Sequence, residues 1–491
     1  MNPNDPATSD PAIVIIGTGF AGLCMAIQLK KASFHNFVIL EKDDDLGGTW
    51  RDNKYPGCAC DVPSHMYSFS FELNPDWSRM FSPQEEIWAY MRRCADKYGV
   101  TAHIHYGSAV ERIEWDDVKR RWHVTTTSGD VYTTRAIVSG SGGLHVPSIP
   151  EIPGADRFAG PAFHSAQWDY SCDLAGKRIA VVGTGASAIQ FVPQIAKQAG
   201  RVVVFQRTPS WVEPRPDFEF PPAVRAMFRA APPVTRAFRD GLYWYLEARG
   251  AGFAVHPRLL APLQRLAKRQ IERQIDDPAL RAKVTPDYTV GCKRLLLASD
   301  YYPALNRPNV DVVTDRITEI TETGVVCADG STYDVDVIIY GTGFKTVEVI
   351  EEMNLSGRDG VKLQDVWRGG VEAYHGITVA GFPNFFMLLG PNTGLGHNSV
   401  VFMIEIQVQH VMSCLRLLAK EKAETIEVRA PALRRFNDRV QRRLRRAVWS
   451  TGGCNSWYLD DKGVNRAMWP GFTFEYWANT RHARRADYEI R

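Results

Sequence analysis

Twice along this chain a short β-branched apolar run leads into a glycine turn, a helix-patterned segment and a second apolar run. No other feature restricts the fold as strongly, because a strand–turn–helix–strand unit of this kind builds a parallel sheet that receives a dinucleotide at the helix N-terminus. The first unit is Ala12-Ile13-Val14-Ile15-Ile16, then Gly17-Thr18-Gly19-Phe20-Ala21-Gly22, with Leu23, Ala26, Ile27 and Leu29 at helical spacing. Phe37-Val38-Ile39-Leu40 follows and ends at Glu41, 19 residues after Gly22. Gly17 permits the tight turn, Gly19 lets the backbone approach a pyrophosphate, and Gly22 lets helix and strand pack closely. The partial positive charge of the helix end faces the phosphates, and Glu41 accepts from a ribose hydroxyl.

The second unit runs from Arg178-Ile179-Ala180-Val181-Val182 into Gly183-Thr184-Gly185-Ala186-Ser187-Ala188, and later Val202-Val203-Val204-Phe205. Arg207, again 19 residues past the turn, holds the place of the acid. A carboxylate there repels a 2′-phosphate, whereas a guanidinium fork binds one. The first unit therefore suits a cofactor with a free ribose diol, such as FAD, and the second suits NADP(H). The alternative for Arg207 is a solvent-facing arginine at a strand end. The expected fold class is α/β, with two Rossmann-like dinucleotide-binding domains and an inserted helical subdomain.

The order along the chain places FAD binding in 1–145 and 336–491, NADP binding in 146–220 and 283–335, and the helical insertion in 221–282. Residues 110–139 read as strands around a Ser128-Gly129-Asp130 turn, and 141–161 is a Gly- and Pro-rich linker. The insertion departs from alternating strand and helix and suggests a lid or wall over the site. A third apolar run, Val335-Asp336-Val337-Ile338-Ile339-Tyr340, ends in Gly341-Thr342-Gly343-Phe344, whose glycines let the chain return close to a dinucleotide. A helix is expected over 400–420. The seven arginines of 434–446 lie opposite an apolar face of Leu433, Phe436, Val440, Leu444 and Val448, which favours a solvated surface helix over a phosphate or membrane patch.

Composition removes several classes. With 58 Lys+Arg against 55 Asp+Glu the net charge is +3, which gives no support to nucleic acid as the main partner. Hydrophobic residues at 45% and charged residues at 23% fit a globular protein and exclude general disorder. No apolar run approaches the ~18–20 residues of a transmembrane segment, and the polar start of the chain lacks the pattern of a signal peptide. Nine cysteines without a CxxC pair read as free thiols in a reducing, cytoplasmic setting. Cys58 and Cys60 lack a second Cys/His pair at suitable spacing, so no metal site is expected.

Three further motifs narrow the chemistry. Phe158-Ala159-Gly160-Pro161-Ala162-Phe163-His164-Ser165-Ala166-Gln167-Trp168-Asp169 resembles the FxGxxxHxxxW-(P/D) fingerprint of the type I Baeyer–Villiger monooxygenases. Gly47-Gly48-Thr49-Trp50, with Tyr55-Pro56-Gly57 and Asp61, is similar to that family's second signature. Gly291-Cys292-Lys293-Arg294, with Asp300-Tyr301-Tyr302 and Asn306-Arg307-Pro308-Asn309-Val310, resembles the segment bearing its active-site arginine. The sister flavin monooxygenases that oxidise nitrogen and sulfur typically carry Tyr or Phe where Trp168 stands. Disulfide reductases would show a redox-active cysteine pair four residues apart, and this chain has none.

The resemblance implies that NADPH reduces FAD, that a C4a-peroxyflavin forms with O2, and that an apolar ketone becomes an ester or lactone. It implies Arg294 as the positive charge facing an oxyanion, since a guanidinium stays charged at any working pH, with Asp61 positioning it. Lys293 and Arg207, beside Thr208, would meet the 2′-phosphate, and Thr184, Gly185, Ser187 and Ala188 the NADP pyrophosphate. Gly17, Gly19, Phe20, Gly22, Glu41, Gly48, Thr49, Trp50, Val110 and Asn392 would contact FAD, and Asp61 would touch the cofactor as well as Arg294. His164 is expected to couple the linker to domain motion rather than to move protons, and Trp168 to serve the motif or simply the core. Gly341 stands where the family often has Ala, next to the flavin. Trp469, Phe472, Phe474, Tyr476 and Trp477 form either a pocket wall or a packed C-terminus. An N- or S-oxygenating flavin monooxygenase and a catalytically silent FAD-binding redox sensor are the competing readings.

Overall fold

The computed structural model describes residues 10–346 and 354–491; most of the polar start, on which the signal-peptide expectation rests, lies outside them. Two five-stranded parallel sheets carry the two nucleotide units. In the first the order is Phe385–Met387, Ala136–Ser139, Ile13–Ile16, Phe37–Leu40 and Ile104–His105, all parallel. Every residue of Ile13–Ile16, Phe37–Leu40 and Ala136–Ser139 is buried, as a sheet covered on both faces requires. The helix Phe20–Lys31 packs on this sheet and against the long helix Val400–Glu421.

The second sheet repeats the design: Val310–Val313, Arg201–Phe205, Arg178–Val182, Val337–Tyr340 and Ala162–His164, again all parallel. One expected boundary needs correction here. The run Val337–Tyr340 lies beside Arg178–Val182 in the second sheet, so the chain leaves this unit after residue 340, not at 336. Asp336 sets the register by accepting from the Arg178 backbone N–H at 2.8 Å and from its Nη2 at 2.7 Å. An all-apolar strand fits either sheet, and its pairing with Arg178–Val182 on one side and Ala162–His164 on the other places it in the second.

Around the sheets, Val110–Asp116, Arg121–Thr126 and Val131–Thr134 form an antiparallel layer, to which Leu355–Ser356 adds a fourth strand. The span 221–282 is helical: Pro222–Ala230, Pro232–Arg249, Ala251–Ala254 and Ala261–Gln274, then Pro278–Val284 across its end. The basic helix Ala430–Leu444 buries Phe436, Val440 and Leu444 and exposes most of its arginines. Two expectations about the chain's chemistry change. Val400–Glu421 is long and apolar enough to cross a membrane by length and composition, although none was expected; here it is mostly buried inside the fold. And Cys292 forms a disulfide with Cys454, leaving seven free cysteines where nine were expected. The two are 162 residues apart, so no sequence spacing could reveal the pairing.

Candidate functional site

The two glycine turns are shaped by backbone contact. At Gly17 φ is +89°, and a side chain at Gly22 would run into the Gly17 carbonyl oxygen, so helix and turn meet only without a Cβ. Gly19 differs: no protein atom lies within 4 Å of where its Cβ would stand. The second turn matches. A Cβ on Gly183 would meet the Gly341 carbonyl oxygen at 2.5 Å, whereas one on Gly185 would find only that oxygen, at 3.8 Å. Both turns thus leave an open cradle at the middle glycine, in the place where the fold receives a pyrophosphate, and this is how the residues present fit two dinucleotides. Gly341 abuts the second turn: its carbonyl faces Gly183, and a Cβ added to it would stand 3.1 Å from the Ala188 methyl.

Glu41 closes the first turn. Its carboxylate, 3% exposed, accepts from the Thr18 backbone N–H at 2.9 Å and from the Thr18 hydroxyl. Its other oxygen takes the Asp43 N–H at 3.2 Å and Arg51 Nη1 at 3.3 Å. Arg51 was not anticipated from sequence. It is buried, and the carboxylates of Asp52, Glu41 and Asp43 hold its pKa above the ordinary value although burial works against them. A buried arginine ten residues after an acid leaves no periodic trace, so no sequence signal marked it. Ser108 donates its N–H to the Glu41 carbonyl at 2.8 Å, which brings the segment leading into Val110 alongside. Gly48 and Thr49 open the short helix Thr49–Asp52, where the Cβ of Gly48 would lie 3.3 Å from Gly19 Cα. Trp50 is buried and donates Nε1 to the Tyr67 hydroxyl at 3.1 Å.

Two expected flavin contacts serve the core through their side chains. The Phe20 ring meets Tyr67 and Phe69 edge-on, each at 5.3 Å, leaving only its backbone toward the turn. Asn392, at φ +57°, spends its amide on the Asn465 and Met468 carbonyls at 3.1 and 3.2 Å, and so anchors the C-terminal segment.

At the second turn, Thr184 Oγ1 donates to the Thr208 carbonyl at 3.3 Å, and Ser187 precedes the helix Ala188–Ile195. Arg207 is exposed and makes no ion pair among the described residues. Lys293 stands near it, over the Tyr288 ring at 5.4 Å. Burial and then the positive charge of Arg207 pull the Lys293 ammonium below its usual pKa, against Asp287. Two cations that repel each other and form no ion pair among the described residues make a natural seat for a phosphate dianion.

Arg294 follows directly. Its Nε and Nη2 each reach a different oxygen of Asp61 at 2.7 Å, a bidentate fork spanning 233 residues. The guanidinium side chain is 41% exposed and Asp61 23%, so the pair is partly open to solvent rather than sealed in the core. Asp61 raises the pKa of Arg294 well beyond its already high value, with burial opposing. The charges of Asp61 and Arg294 reach Tyr67, which holds Trp50, so the fork lies near the wall of the first turn while Lys293 reaches toward the second.

The fingerprint 158–169 is structural in its contacts. A side chain at Gly160 would strike the Asp336 carbonyl oxygen; His164 is fully buried, with Nδ1 accepting from the Ala166 N–H at 3.1 Å and its ring edge-on to Phe344. Trp168 packs on Phe163 and Phe191. Of the C-terminal aromatics, Trp469 and Tyr476 are core and pack together at 5.0 Å, while Phe472 stacks on Phe474, which is 42% exposed. A cavity of about 590 Å³ lies between the two units, lined by residues 54–59, Arg79, Gln190, Arg215 and Asp217 among others, but it does not include Asp61 or Arg294.

Comparison with known proteins agrees with this geometry. Residues 14–232 match the family model described as pyridine nucleotide-disulphide oxidoreductase. A Baeyer–Villiger monooxygenase of Pseudomonas aeruginosa is 48% identical over 489 residues, 99% of this chain and 93% of that protein. The oxidized steroid monooxygenase bound to NADP superposes with a TM-score of 0.88 at 29% identity, covering 98% of this chain and 99% of that one. The OTEMO complex with FAD and NADP gives 0.88 at 27% identity, covering 99% and 100%. The two glycine turns, the arginine in the acid's place and the Asp61–Arg294 fork thus sit in a chain that belongs to the Baeyer–Villiger monooxygenases.

Proposed function

We propose that this enzyme binds FAD at the first turn and NADP(H) at the second, and inserts one O2-derived oxygen atom next to the carbonyl of an apolar ketone. The observation that carries the reading is the Asp61–Arg294 fork, because a fixed positive charge is what a developing oxyanion needs. FAD would be held by residues 1–145 and those beyond 340, NADP(H) by 146–220 and 283–340, with 221–282 as the wall. When bound and reduced by NADPH, the flavin supplies the oxidising equivalent from O2. The chain's own residues do the rest. Asp61 holds the guanidinium in one orientation, so that its free edge can face negative charge as it builds on the ketone oxygen. Lys293 and Arg207 seat the 2′-phosphate, which gives NADPH its advantage over NADH. Trp50 and Tyr67 exclude water from the flavin side. Phe253 and Trp449, buried and stacked at 5.5 Å beside Gly291, pack under the Arg294 segment and support it from the core.

The test is incubation of the FAD-loaded protein with NADPH, O2 and cyclic, linear, aryl and steroidal ketones. Esters or lactones formed with NADPH consumption are the expected products. Unchanged ketones alongside oxidised amines or thioethers would place it with the nitrogen- and sulfur-oxidising enzymes. FAD binding without NADPH oxidation would make it a silent flavoprotein.

A further inference from the structure

We propose that the Cys292–Cys454 disulfide is a reducible staple on the active-site segment, through which a dithiol reductant controls how firmly Lys293 and Arg294 are held. The inference rests on the roles given above to those two residues, which immediately follow Cys292.

Residues 285–295 form neither helix nor strand, so nothing regular fixes their backbone. What holds them, besides the Asp61–Arg294 fork, is a small set of side-chain and cross-chain contacts. Tyr288 is tied to the second unit through Trp211 Nε1, which donates to its carbonyl at 2.8 Å, and through its own hydroxyl, which donates to the Pro209 carbonyl at 2.9 Å. The Val290 N–H meets Gln264 Oε1 at 3.3 Å. The remaining anchors on this side converge on the C-terminal part of the chain: Thr289 N–H to the Gly452 carbonyl at 2.9 Å, Cys454 N–H to Cys292 Sγ at 3.2 Å, and the disulfide itself. Gly452 lies so close that a Cβ there would come within 2.6 Å of Cys292 Cβ. The covalent bond is thus the one tie in this group that thermal motion cannot open, and it sits one residue from Lys293 and two from Arg294.

The two sulfurs differ in access. Cys292 is 1% exposed, whereas Cys454 is half-buried between the exposed Gly453 and Asn455, at the end of the helix Val448–Thr451. A reductant thiolate therefore reaches Cys454 Sγ. Its attack forms a mixed disulfide and breaks the Sγ–Sγ bond, and Cys292 leaves as a thiolate that takes a proton. The second thiol of the reductant then displaces Cys454, so two electrons pass to the protein and the reductant becomes a disulfide. With both thiols free, the segment keeps its fold contacts, including the Asp61–Arg294 fork, but loses the covalent tether, so the backbone carrying Lys293 and Arg294 loosens and the ordering of Lys293 must be supplied at each binding event.

The experiment compares the FAD-loaded enzyme before and after dithiothreitol with the Cys292→Ser/Cys454→Ser double variant. Alkylation in denaturant should label seven cysteines before reduction and nine after. Reduction should weaken NADP+ binding by about 3- to 10-fold, the effect of re-ordering one or two long side chains. Hydrogen exchange in 285–297 should quicken, and ester formed per NADPH consumed should fall. The double variant should show the reduced values throughout and ignore the reductant. Nine labelled cysteines before reduction overturn the proposal, as do NADP+ affinity and exchange unchanged by reduction in the wild type. If Arg294→Ala leaves ester formation intact while the exchange difference persists, the catalytic assignment fails and the staple survives as a structural fact.

Discussion

Replacing Arg294 by alanine removes two charge-assisted hydrogen bonds of 2.7 Å to Asp61 and the positive charge they orient. What that costs in stability and what it costs in rate are separable on the structure. The guanidinium side chain is 41% exposed and its partner 23%, so the ion pair contributes no more than about 1 kcal/mol to folding. Neither residue belongs to the buried core, and FAD is held elsewhere, so the variant should purify folded and yellow. The rate is another matter. Loss of one fixed donor facing a developing oxyanion costs about 10²- to 10³-fold in kcat, or ~2.7–4 kcal/mol of barrier. Ester formation should fall by that factor while NADPH oxidation continues, with the electrons appearing as hydrogen peroxide. Arg294→Lys keeps a charge but not the fork, and should recover part of the loss at most. The assay follows ester by gas chromatography, NADPH by absorbance and peroxide by a coupled peroxidase. Ester formation within about threefold of wild type, with FAD bound, refutes the reasoning, because an oxyanion donor cannot be removed so cheaply.

The turn glycines separate folding from binding. Gly22→Ala collides with the Gly17 carbonyl and should destabilise the first unit in thermal denaturation, whereas Gly19→Ala has room and should leave the melting of the FAD-free protein unchanged while abolishing FAD retention; equal melting and FAD content for both would contradict the cradle. Acid should destabilise the fold for a definable reason. Burial, with the Arg239 charge adding to it, lowers His65 to about 4, and burial lowers His410 to about 4 against the Thr480 carbonyl. Both are neutral in the folded state and bind protons in the unfolded chain near pH 6.5, so the stability they contribute is complete above that pH and is lost as pH falls toward 4. His65 sits among Phe220, Phe228 and Phe238 at 5.1–5.3 Å, so His65→Phe should flatten part of that acid slope in urea titrations; an unaltered slope would remove His65 from the account.

Local chemistry made part of this protein legible in one dimension. A β-branched run, a glycine turn and a helix stripe are short-range patterns, so Ile13–Ile16 and Arg178–Val182 appear where the residues place them, and an arginine at 207 against an acid at 41 is a difference of charge at a fixed spacing. The apolar face of Phe436, Val440 and Leu444 was equally readable, because helical period and burial coincide there, although the helix stops at Leu444 and Val448 opens a separate one. What the chain could not show is whatever depends on two distant segments meeting. Val337–Tyr340 is apolar enough for either sheet, and only its pairing with distant strands on both sides assigns it. Asn392 has the composition of a ligand contact, yet its amide is consumed by carbonyls more than 70 residues on. Arg51 has no periodic signature, and its burial beside Glu41 follows from how the turn folds back. Nine cysteines gave no hint that Cys292 and Cys454 would be bonded, because loop closure over 162 residues is decided by packing and leaves no local preference behind. Short-range sterics and charge set which cofactors the chain is built for; long-range packing decides which side chains are free to use them.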